Sequence, residues 1–180
     1  MTITDRGRRL LYNPPTGDGM ARKFRDLNER ELLALAISLE EEDGRIYGDF
    51  ADGLREDYGE TAKLFDEMRE EESQHRAQLI ETYRERFGEH IPLIRRQDVQ
   101  GFVNRRPVWL MRPLPIKEVR KQVEVMELET RRVYERAMRQ VTDAGIRKLL
   151  GDLADAERKH YATAESLQER ITPAIEEKEE

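Results

Sequence analysis

The sequence contains no cysteine, and this absence excludes disulfide bonds, thiol catalysis and iron–sulfur or rubredoxin-type centres with cysteine ligands. A reducing, cytoplasmic location is compatible with it. Long apolar runs are also missing, since no stretch approaches the roughly 20 apolar residues of a membrane span. Residues 1–19 lack the apolar segment of a signal peptide. We therefore expect a chain that folds in the cytoplasm and does not itself cross a membrane.

The balance of charge and the spacing of apolar residues indicate helices. The formal net charge of −6 argues against nucleic-acid binding. Charged residues make up 39% of the chain and apolar residues 37%, which is typical of amphipathic helices with solvated outer faces. At 180 residues, the chain is long enough for one domain with a sizeable core.

Apolar residues recur at helical spacing in four segments. We predict helices over about residues 28–57, 60–87, 116–141 and 144–171. Asn28 and Glu31 have the spacing of an N-terminal capping box, and Gly88 is a suitable end for the second helix. The predicted fold class is all-α, a four-helix bundle made of two helical hairpins.

A long connector joins the two hairpins. Residues 88–115 contain four prolines, which deny them one continuous helix, yet they are too apolar for a solvated linker. We expect a crossover between opposite ends of the bundle, with Trp109 as a packing anchor, and the length would also permit exchange of hairpins between subunits. Around the bundle domain at 26–171, we predict a flexible N-terminal extension at 1–25 and a disordered acidic tail at 172–180.

Histidine is scarce, with three residues in the chain, and two of them occur in the same short pattern. Glu72-Ser-Gln-His75 and Glu157-Arg-Lys-His160 each place a glutamate three residues before a histidine on the apolar stripe of a predicted helix. A single Glu-x-x-His is usually a surface pair, but two copies at matched stripe positions indicate ligands that face a bundle interior. The third histidine, His90, is expected in a loop.

An internal repeat extends this pattern to two further glutamates. The two Glu-x-x-His motifs are related by an offset of 85 residues. Glu40 and Glu127 lie on the stripes of the first and third helices, and each is followed seven residues later by a tyrosine, Tyr47 or Tyr134. This second match has an offset of 87 residues, and the difference falls in the turns between paired helices. Two hairpins related by a pseudo-two-fold would bring equivalent residues to one central site.

The candidate catalytic residues, acting as metal ligands, are Glu40, Glu72, His75, Glu127, Glu157 and His160. Burial of an unpaired carboxylate costs several kcal/mol, and four carboxylates together would repel each other until most were protonated. Two divalent cations would balance four carboxylate charges, in the pattern of di-iron carboxylate bundles. Oxygen ligands with one imidazole per metal suit two iron ions (Fe²⁺/Fe³⁺), with manganese or zinc as substitutes.

Other polar residues near the predicted site each have two possible roles. Tyr47 and Tyr134 are expected in the core within hydrogen-bonding reach of the ligands, with direct catalytic use as the alternative. We take Glu40 and Glu127 to be the bridging carboxylates. Four further glutamates are expected on solvated faces, with the alternative that one is an auxiliary or metal-entrance carboxylate: Glu70, Glu71, Glu124 and Glu129.

Four stretches give the chain a resemblance to a known group of proteins. They are Leu33-Ala-Leu-Ala-Ile-Ser-Leu-Glu-Glu-Glu-Asp-Gly-Arg-Ile-Tyr47, Ile91-Pro-Leu-Ile-Arg-Arg96, Arg106-Pro-Val-Trp-Leu110 and Asp143-Ala-Gly-Ile-Arg-Lys-Leu-Leu150. Over about residues 24–170 the chain resembles the ferritin-like superfamily in its rubrerythrin branch. More narrowly, it is similar to the ferritin-like domain of membrane-bound ferritins, the erythrin–vacuolar iron transporter proteins.

This resemblance implies a ferritin-like bundle with two iron ions on the same six residues. It also implies a homodimer and a role in moving iron out of the cytoplasm under iron or peroxide stress. Proteins of the narrower group continue into a membrane transporter domain, so we expect an excised domain or a stand-alone relative, at the inner face of a membrane if attached to a transporter. Thr130 stands where many rubrerythrins have an extra carboxylate, and this difference weakens a peroxidase assignment.

The leading interpretation is a di-iron protein with ferroxidase-type activity, which binds and oxidises Fe²⁺ with O₂ or H₂O₂ as co-substrate. It would pass iron to a membrane transporter domain or partner. A rubrerythrin-like peroxidase that uses the same metals is the first alternative. A helical dimerisation module with a structural metal site is the second.

Overall fold

The computed structural model of the protein describes residues 21–102, 105 and 115–176. These residues form four α-helices and two short 3-10 turns, at Phe24–Asp26 and Arg96–Asp98. The helices are α1 Glu29–Leu54, α2 Gly59–Phe87, α3 Ile116–Gln140 and α4 Ala144–Glu176. The predicted all-α fold class is confirmed. None of the described helices has the length and apolarity needed to cross a membrane.

Short connections determine which helices pair. Residues 55–58 join α1 to α2, and residues 141–143 join α3 to α4, so that each pair forms an antiparallel hairpin. The most extensive helix packing is within each hairpin, while α1 also packs against α3 and α2 against α4. The bundle therefore consists of two hairpins, as predicted, and the site lies where they meet.

The helix ends follow the signals in the sequence. The side chain of Asn28 accepts a hydrogen bond from the Glu31 N–H, and the Glu31 carboxylate accepts one from the Asn28 N–H at 2.9 Å, which completes the predicted capping box. Gly88 ends α2 with a φ of 84°, a conformation that favours glycine. Asp143 Oδ1 accepts hydrogen bonds from the N–H groups of Gly145 and Ile146 at the start of α4.

Two apolar clusters fill the core, and a polar layer separates them. One cluster, around Leu35 and Tyr83, occupies the end of the bundle where α1 begins and α2 ends. The other, around Phe50, Phe65 and Val123, occupies the opposite end. On each helix the buried glutamate falls between the residues that contribute to the two clusters. The polar layer is therefore enclosed by apolar side chains from both ends of the bundle.

The N-terminal segment differs from the extension predicted for residues 1–25, of which the first 20 lie outside the described residues. The Arg22 N–H donates to the Asp98 carbonyl at 2.9 Å, and the Arg22 carbonyl accepts from the Gln100 N–H at 2.8 Å. Phe24 is 3% exposed and belongs to the core. Local periodicity cannot reveal this pairing because it joins an extended segment to the distant connector.

The end of α4 also differs from expectation. The sequence predicts a fourth helix that ends at about residue 171 and a disordered acidic tail at 172–180, but the helical backbone continues to Glu176. A proline inside a helix removes its own N–H hydrogen bond, and its ring crowds the carbonyl four residues earlier. These effects disfavour a helix interior without forbidding it, and the helical backbone runs through Pro173. Residues 177–180 and Trp109, the predicted packing anchor, lie outside the described part of the chain.

Candidate metal centre

The polar layer contains all six predicted ligands. Each helix contributes one glutamate from its apolar stripe, and each of these four side chains belongs to a residue that is 1% exposed. The two histidines differ, since the side chain of His160 is 5% exposed and that of His75 is 16% exposed. The structure therefore brings together the residues that the internal repeat predicts to meet.

Ligand atoms of these residues form two overlapping groups, and within each group they lie within 4.8 Å of one another. The groups are Glu40, Glu72, His75 and Glu157, and Glu72, Glu127, Glu157 and His160. Glu72 and Glu157 belong to both groups, because each lies one turn before a histidine on helices that face each other. Glu40 and Glu127, which the sequence suggests as the bridging carboxylates, each belong to one group and lie at the two outer positions.

Both histidines direct Nδ1 toward the centre. His160 Nδ1 lies 3.1 Å from Glu72 Oε1 and 3.5 Å from Glu127 Oε2. It does not have the alignment of a hydrogen bond with either atom. His75 Nδ1 lies 3.4 Å from Glu72 Oε2 and 3.5 Å from Glu40 Oε2. Each imidazole therefore presents one nitrogen to a separate half of the carboxylate cluster.

The tyrosines cross-link the two hairpins. The Tyr47 hydroxyl on α1 donates to Glu127 Oε1 on α3, and the Tyr134 hydroxyl on α3 donates to Glu40 Oε1 on α1. Burial, and next the charge of the glutamate partner, raise the pKa of both phenols well above the ordinary value. Both tyrosines therefore remain protonated donors at neutral pH, and each holds one oxygen of an outer glutamate while the other oxygen faces the centre.

The site contains buried polar atoms that no part of the described protein satisfies. They are Glu40 Oε2, Glu72 Oε1, Glu127 Oε2, Glu157 Oε1 and His160 Nδ1. An unsatisfied buried polar atom costs about 1–3 kcal/mol, and more when it is charged. All five atoms belong to predicted ligands, and carboxylates with imidazoles suit iron, manganese or zinc. The residues therefore fit a pair of divalent cations.

The electrostatics of the carboxylate cluster show why a cation is favoured there. Burial, and next repulsion by Glu72, raise the pKa of Glu40 to about 8. Burial and Glu127 raise the pKa of Glu157 well above its ordinary value. Burial lowers the pKa of His75, but hydrogen bonds with Glu40 and Glu72 outweigh this effect and raise the pKa to about 9. The cluster retains protons near neutral pH, and metal binding would displace them.

A buried aspartate beside the ligands was not predicted. Asp43 is 2% exposed, accepts a hydrogen bond from the Thr130 hydroxyl at 2.7 Å, and pairs with Arg105 Nη1 at 2.5 Å. Burial raises the pKa of Asp43 to about 7, against the lowering effect of Arg105. The internal repeat relates Asp43 to Thr130 and would have been the signal for this contact. The carboxylate missing at position 130 is thus present one turn after Glu40.

Two arginines of the connector link α1 to α3 beside this aspartate. Arg105 Nη2 also donates to Glu129 Oε2 at 3.1 Å. Arg96 donates to both oxygens of Glu42, at 3.0 and 3.1 Å, and lies 3.4 Å from Glu129. Glu129 was expected on a solvated face, but its side chain is only 12% exposed because the connector covers it. This network fixes the described part of the connector to both hairpins.

Glu71 contacts the outer side of one histidine. Glu71 Oε2 lies 2.9 Å from His160 Nε2, opposite the nitrogen that faces the cluster. Such a contact fixes the tautomer and orientation of a ligand histidine. The glutamate had been assigned to a solvated face, with an auxiliary role as the alternative, and its side chain is 57% exposed. The alternative therefore describes Glu71 better.

The remaining candidates do not themselves belong to the ligand groups. Glu70 is exposed, and Glu124 forms an ion pair at 3.2 Å with the arginine one turn earlier on α3. His90 lies in a loop, as predicted, and its carbonyl accepts hydrogen bonds at 2.8 Å from Arg30 and Tyr83. None of these residues belongs to either group of candidate ligands among the described residues.

The fold and the site together define a class of protein, the ferritin-like four-helix bundle with a carboxylate–histidine centre between two hairpins. The rubrerythrin family model matches residues 31–168. Since this match spans well over half of the sequence, the chain belongs to the rubrerythrin family.

Two solved structures are similar in fold. A hypothetical protein from Pyrococcus furiosus has a TM-score of 0.64 and 21% identity, over 82% of this chain and 92% of that chain. A candidate ferritin-like diiron-carboxylate protein from Thermotoga maritima has a TM-score of 0.62 and 21% identity, over 79% and 95%. Identity at this level supports the fold alone. No curated protein matched the chain.

Proposed function

We propose that this protein binds two Fe²⁺ ions between its hairpins and oxidises them, with O₂ or H₂O₂ as the co-substrate. The observation that carries the proposal is the buried cluster of four carboxylates and two imidazoles, five of whose atoms lack a hydrogen-bond partner. Oxidation of two Fe²⁺ ions supplies the two electrons that reduce O₂ to H₂O₂, or H₂O₂ to water, with protons completing the balance.

The side chains around the cluster have distinct tasks in this proposal. Glu40 and His75 would hold one ion, Glu127 and His160 the other, and Glu72 with Glu157 would contact both. The protonated tyrosines orient the two outer glutamates, since each donates a hydrogen bond to one carboxylate oxygen. The apolar clusters on both sides limit the access of water, which strengthens the attraction between carboxylates and cations.

The destination of the iron is a further part of the proposal. The narrower resemblance to membrane-bound ferritins supports transfer of iron to a membrane transporter domain or partner, from the cytoplasmic side. It also supports a homodimer. Co-sedimentation of the chain with iron-exporting membranes, compared with membranes that lack the exporter, would test the association that this transfer requires.

The central experiment is an anaerobic titration of metal-free protein with Fe²⁺, followed by exposure to air. We expect about two iron ions per chain and the appearance of ferric absorption in the near ultraviolet. The double variant Glu72→Ala/Glu157→Ala should lose both, because these residues lie between the two positions. Glu67→Ala, an exposed glutamate on α2, is the matched control and should behave as the wild type. Unchanged iron oxidation in the double variant would contradict the proposal.

A peroxidase is the second candidate, and Asp43 is the observation that favours it. This buried carboxylate lies one turn from Glu40 and accepts a hydrogen bond from Thr130. It therefore places a carboxylate beside the site, although position 130 itself has none. Stopped-flow mixing of the Fe²⁺-loaded protein with H₂O₂ and with O₂ separates the two functions. A strong preference for H₂O₂, with turnover by an external reductant, would favour the peroxidase. Comparable or faster oxidation by O₂ would favour the ferroxidase.

A further inference from the structure

The two cation positions differ in how firmly their histidines are held. Glu71 Oε2 lies 2.9 Å from His160 Nε2, on the side of the ring opposite the cluster. The internal repeat relates Glu71 to Ala156, which has no polar side chain to offer His75. The His75 side chain is also the more exposed of the two, at 16% against 5%. The six ligands are therefore related by pseudo-symmetry, but the residues that contact the outer side of the two histidines are not.

A cavity opens from the surface to the less supported position. It has a volume of about 360 Å³, lies between α1 and α2, and has Glu40 among its lining residues. Glu40 is 1% exposed, and its Oε2 is one of the atoms without a hydrogen-bond partner. An unsatisfied, buried carboxylate oxygen on a residue that lines an open cavity is suited to receive a cation.

Charged side chains of both signs form the rim of this cavity. It carries the carboxylates of Glu41, Asp66 and Glu70, together with two arginines. Arg76 pairs with Glu41 at 3.1 Å, so one of these positive charges is already matched at the mouth. Asp66 likewise pairs with Arg55 at 3.0 Å, so Glu70 is the rim carboxylate whose charge no ion pair among the described residues matches, and it is the one best placed to attract a cation.

Gly44 keeps the inner part of the cavity open. It lines the passage one turn after Glu40, and a Cβ there would lie 3.3 Å from the Cβ of Glu72. Any larger side chain at this position would therefore crowd Glu72, one of the predicted ligands. The opening and the weakly supported histidine belong to the same cation position, that of Glu40 and His75.

We propose that a divalent cation enters through the cavity between α1 and α2, and that the position of Glu40 and His75 exchanges its cation while the position of His160 retains its own. This inference rests on the proposed function, because it assigns cation exchange to one position and cation retention to the other position of the same site. The retained cation neutralises part of the shared carboxylate charge, and the exchangeable position is the one through which iron passes.

Binding affinity tests the inequality of the two positions. Co²⁺ is titrated into the metal-free full chain and followed by calorimetry and visible absorption, which need no turnover. We expect two separate binding steps. Glu71→Ala should weaken the tighter step about 10–100-fold, the effect typical of losing a partner of a ligand histidine, and leave the weaker step unchanged. Glu71→Gln should weaken the tighter step less than Glu71→Ala does, because the glutamine amide oxygen still accepts a hydrogen bond from His160.

The rate of Co²⁺ uptake tests the route. The double variant Glu41→Gln/Glu70→Gln neutralises two rim carboxylates that belong to neither ligand group. At low salt we expect uptake to slow by about tenfold and to depend less on ionic strength, with the final stoichiometry unchanged. Glu67→Gln is the matched control, since Glu67 is an exposed glutamate of α2 outside the cavity lining.

The outcomes separate this inference from the function on which it rests. Failure of the wild type to bind Co²⁺ or Fe²⁺ would overturn both. Two ions bound with equal affinity, or loss of the weaker step in Glu71→Ala, would overturn only the inequality of the two positions. Uptake slowed no more by the rim variant than by Glu67→Gln would overturn the route.

Discussion

Loss of the Arg105 guanidinium should destabilise the bundle through Asp43. Arg105→Ala leaves a carboxylate that is 2% exposed with the Thr130 hydroxyl as its remaining hydrogen-bond partner among the described residues. Removing one partner of a buried ion pair costs about 3–5 kcal/mol. Asp43 can reduce this cost by binding a proton, because burial already raises its pKa to about 7.

The loss of stability caused by Arg105→Ala should therefore depend on pH. Arg105 holds the pKa of Asp43 down, so its removal raises that pKa further above the value in the unfolded chain. Below about pH 7 the carboxyl group is largely protonated in both folded proteins, and the difference between them is small. Above pH 7 the wild-type group ionises next to Arg105, whereas the variant must stay protonated or bury an unpaired charge. The free-energy loss should grow between pH 6 and pH 8.

Urea unfolding of four proteins measures this effect: the wild type, Arg105→Ala, Asp43→Asn and the double variant. We expect Asp43→Asn to recover most of the stability that Arg105→Ala loses at pH 8, because no charge then remains unpaired. Arg95→Ala is the control, since Arg95 is 53% exposed, pairs with Asp98, and should lose less than about 1 kcal/mol. A loss in Arg105→Ala that matches the control, or that is the same at both pH values, would refute the reasoning.

Three further predictions concern the centre and the first helix. Tyr47→Phe and Tyr134→Phe should each weaken Fe²⁺ binding about 10–100-fold in an anaerobic titration, because each frees an outer glutamate to rotate; binding unchanged in both would exclude this role. The metal-free protein should lose thermal stability from about pH 5 to pH 9, since the raised pKa values of Glu40 and His75 make the folded state bind more protons than the unfolded chain. A melting temperature that rises over that range would contradict this. Asn28→Ala should cost about 1 kcal/mol in urea unfolding through loss of the capping box, and Asn28→Asp should cost little.

The ligands could be predicted from the sequence because their signal is local and repeated. A glutamate on an apolar stripe breaks the helical pattern where it occurs, so Glu72 and Glu157 stand out without knowledge of the fold. The repeat then selects Glu40 from three consecutive glutamates, since only Glu40 matches Glu127 in stripe position and distance to a tyrosine. Each step uses the period of a helix and a fixed offset, both of which the sequence contains.

The residues that contact and orient the ligands could not be predicted, because their positions depend on contacts between distant elements. Glu71 faces solvent by its position on α2, and only the approach of α4 places it next to His160. Asp43 would be a costly buried charge in any local interpretation, until Arg105 of the connector is placed beside it. Crossed hydrogen bonds between each tyrosine and the opposite hairpin likewise require the packing of α1 on α3.

The central claim is that one chain holds two cations between its hairpins, and anomalous diffraction tests it most directly. Crystals of protein loaded anaerobically with Fe²⁺ should show two anomalous peaks per chain at the iron absorption edge. One peak should be coordinated by Glu40 and His75, the other by Glu127 and His160, with Glu72 between them. A single peak, peaks bound elsewhere, or an iron-loaded protein whose six side chains coordinate nothing would contradict the account.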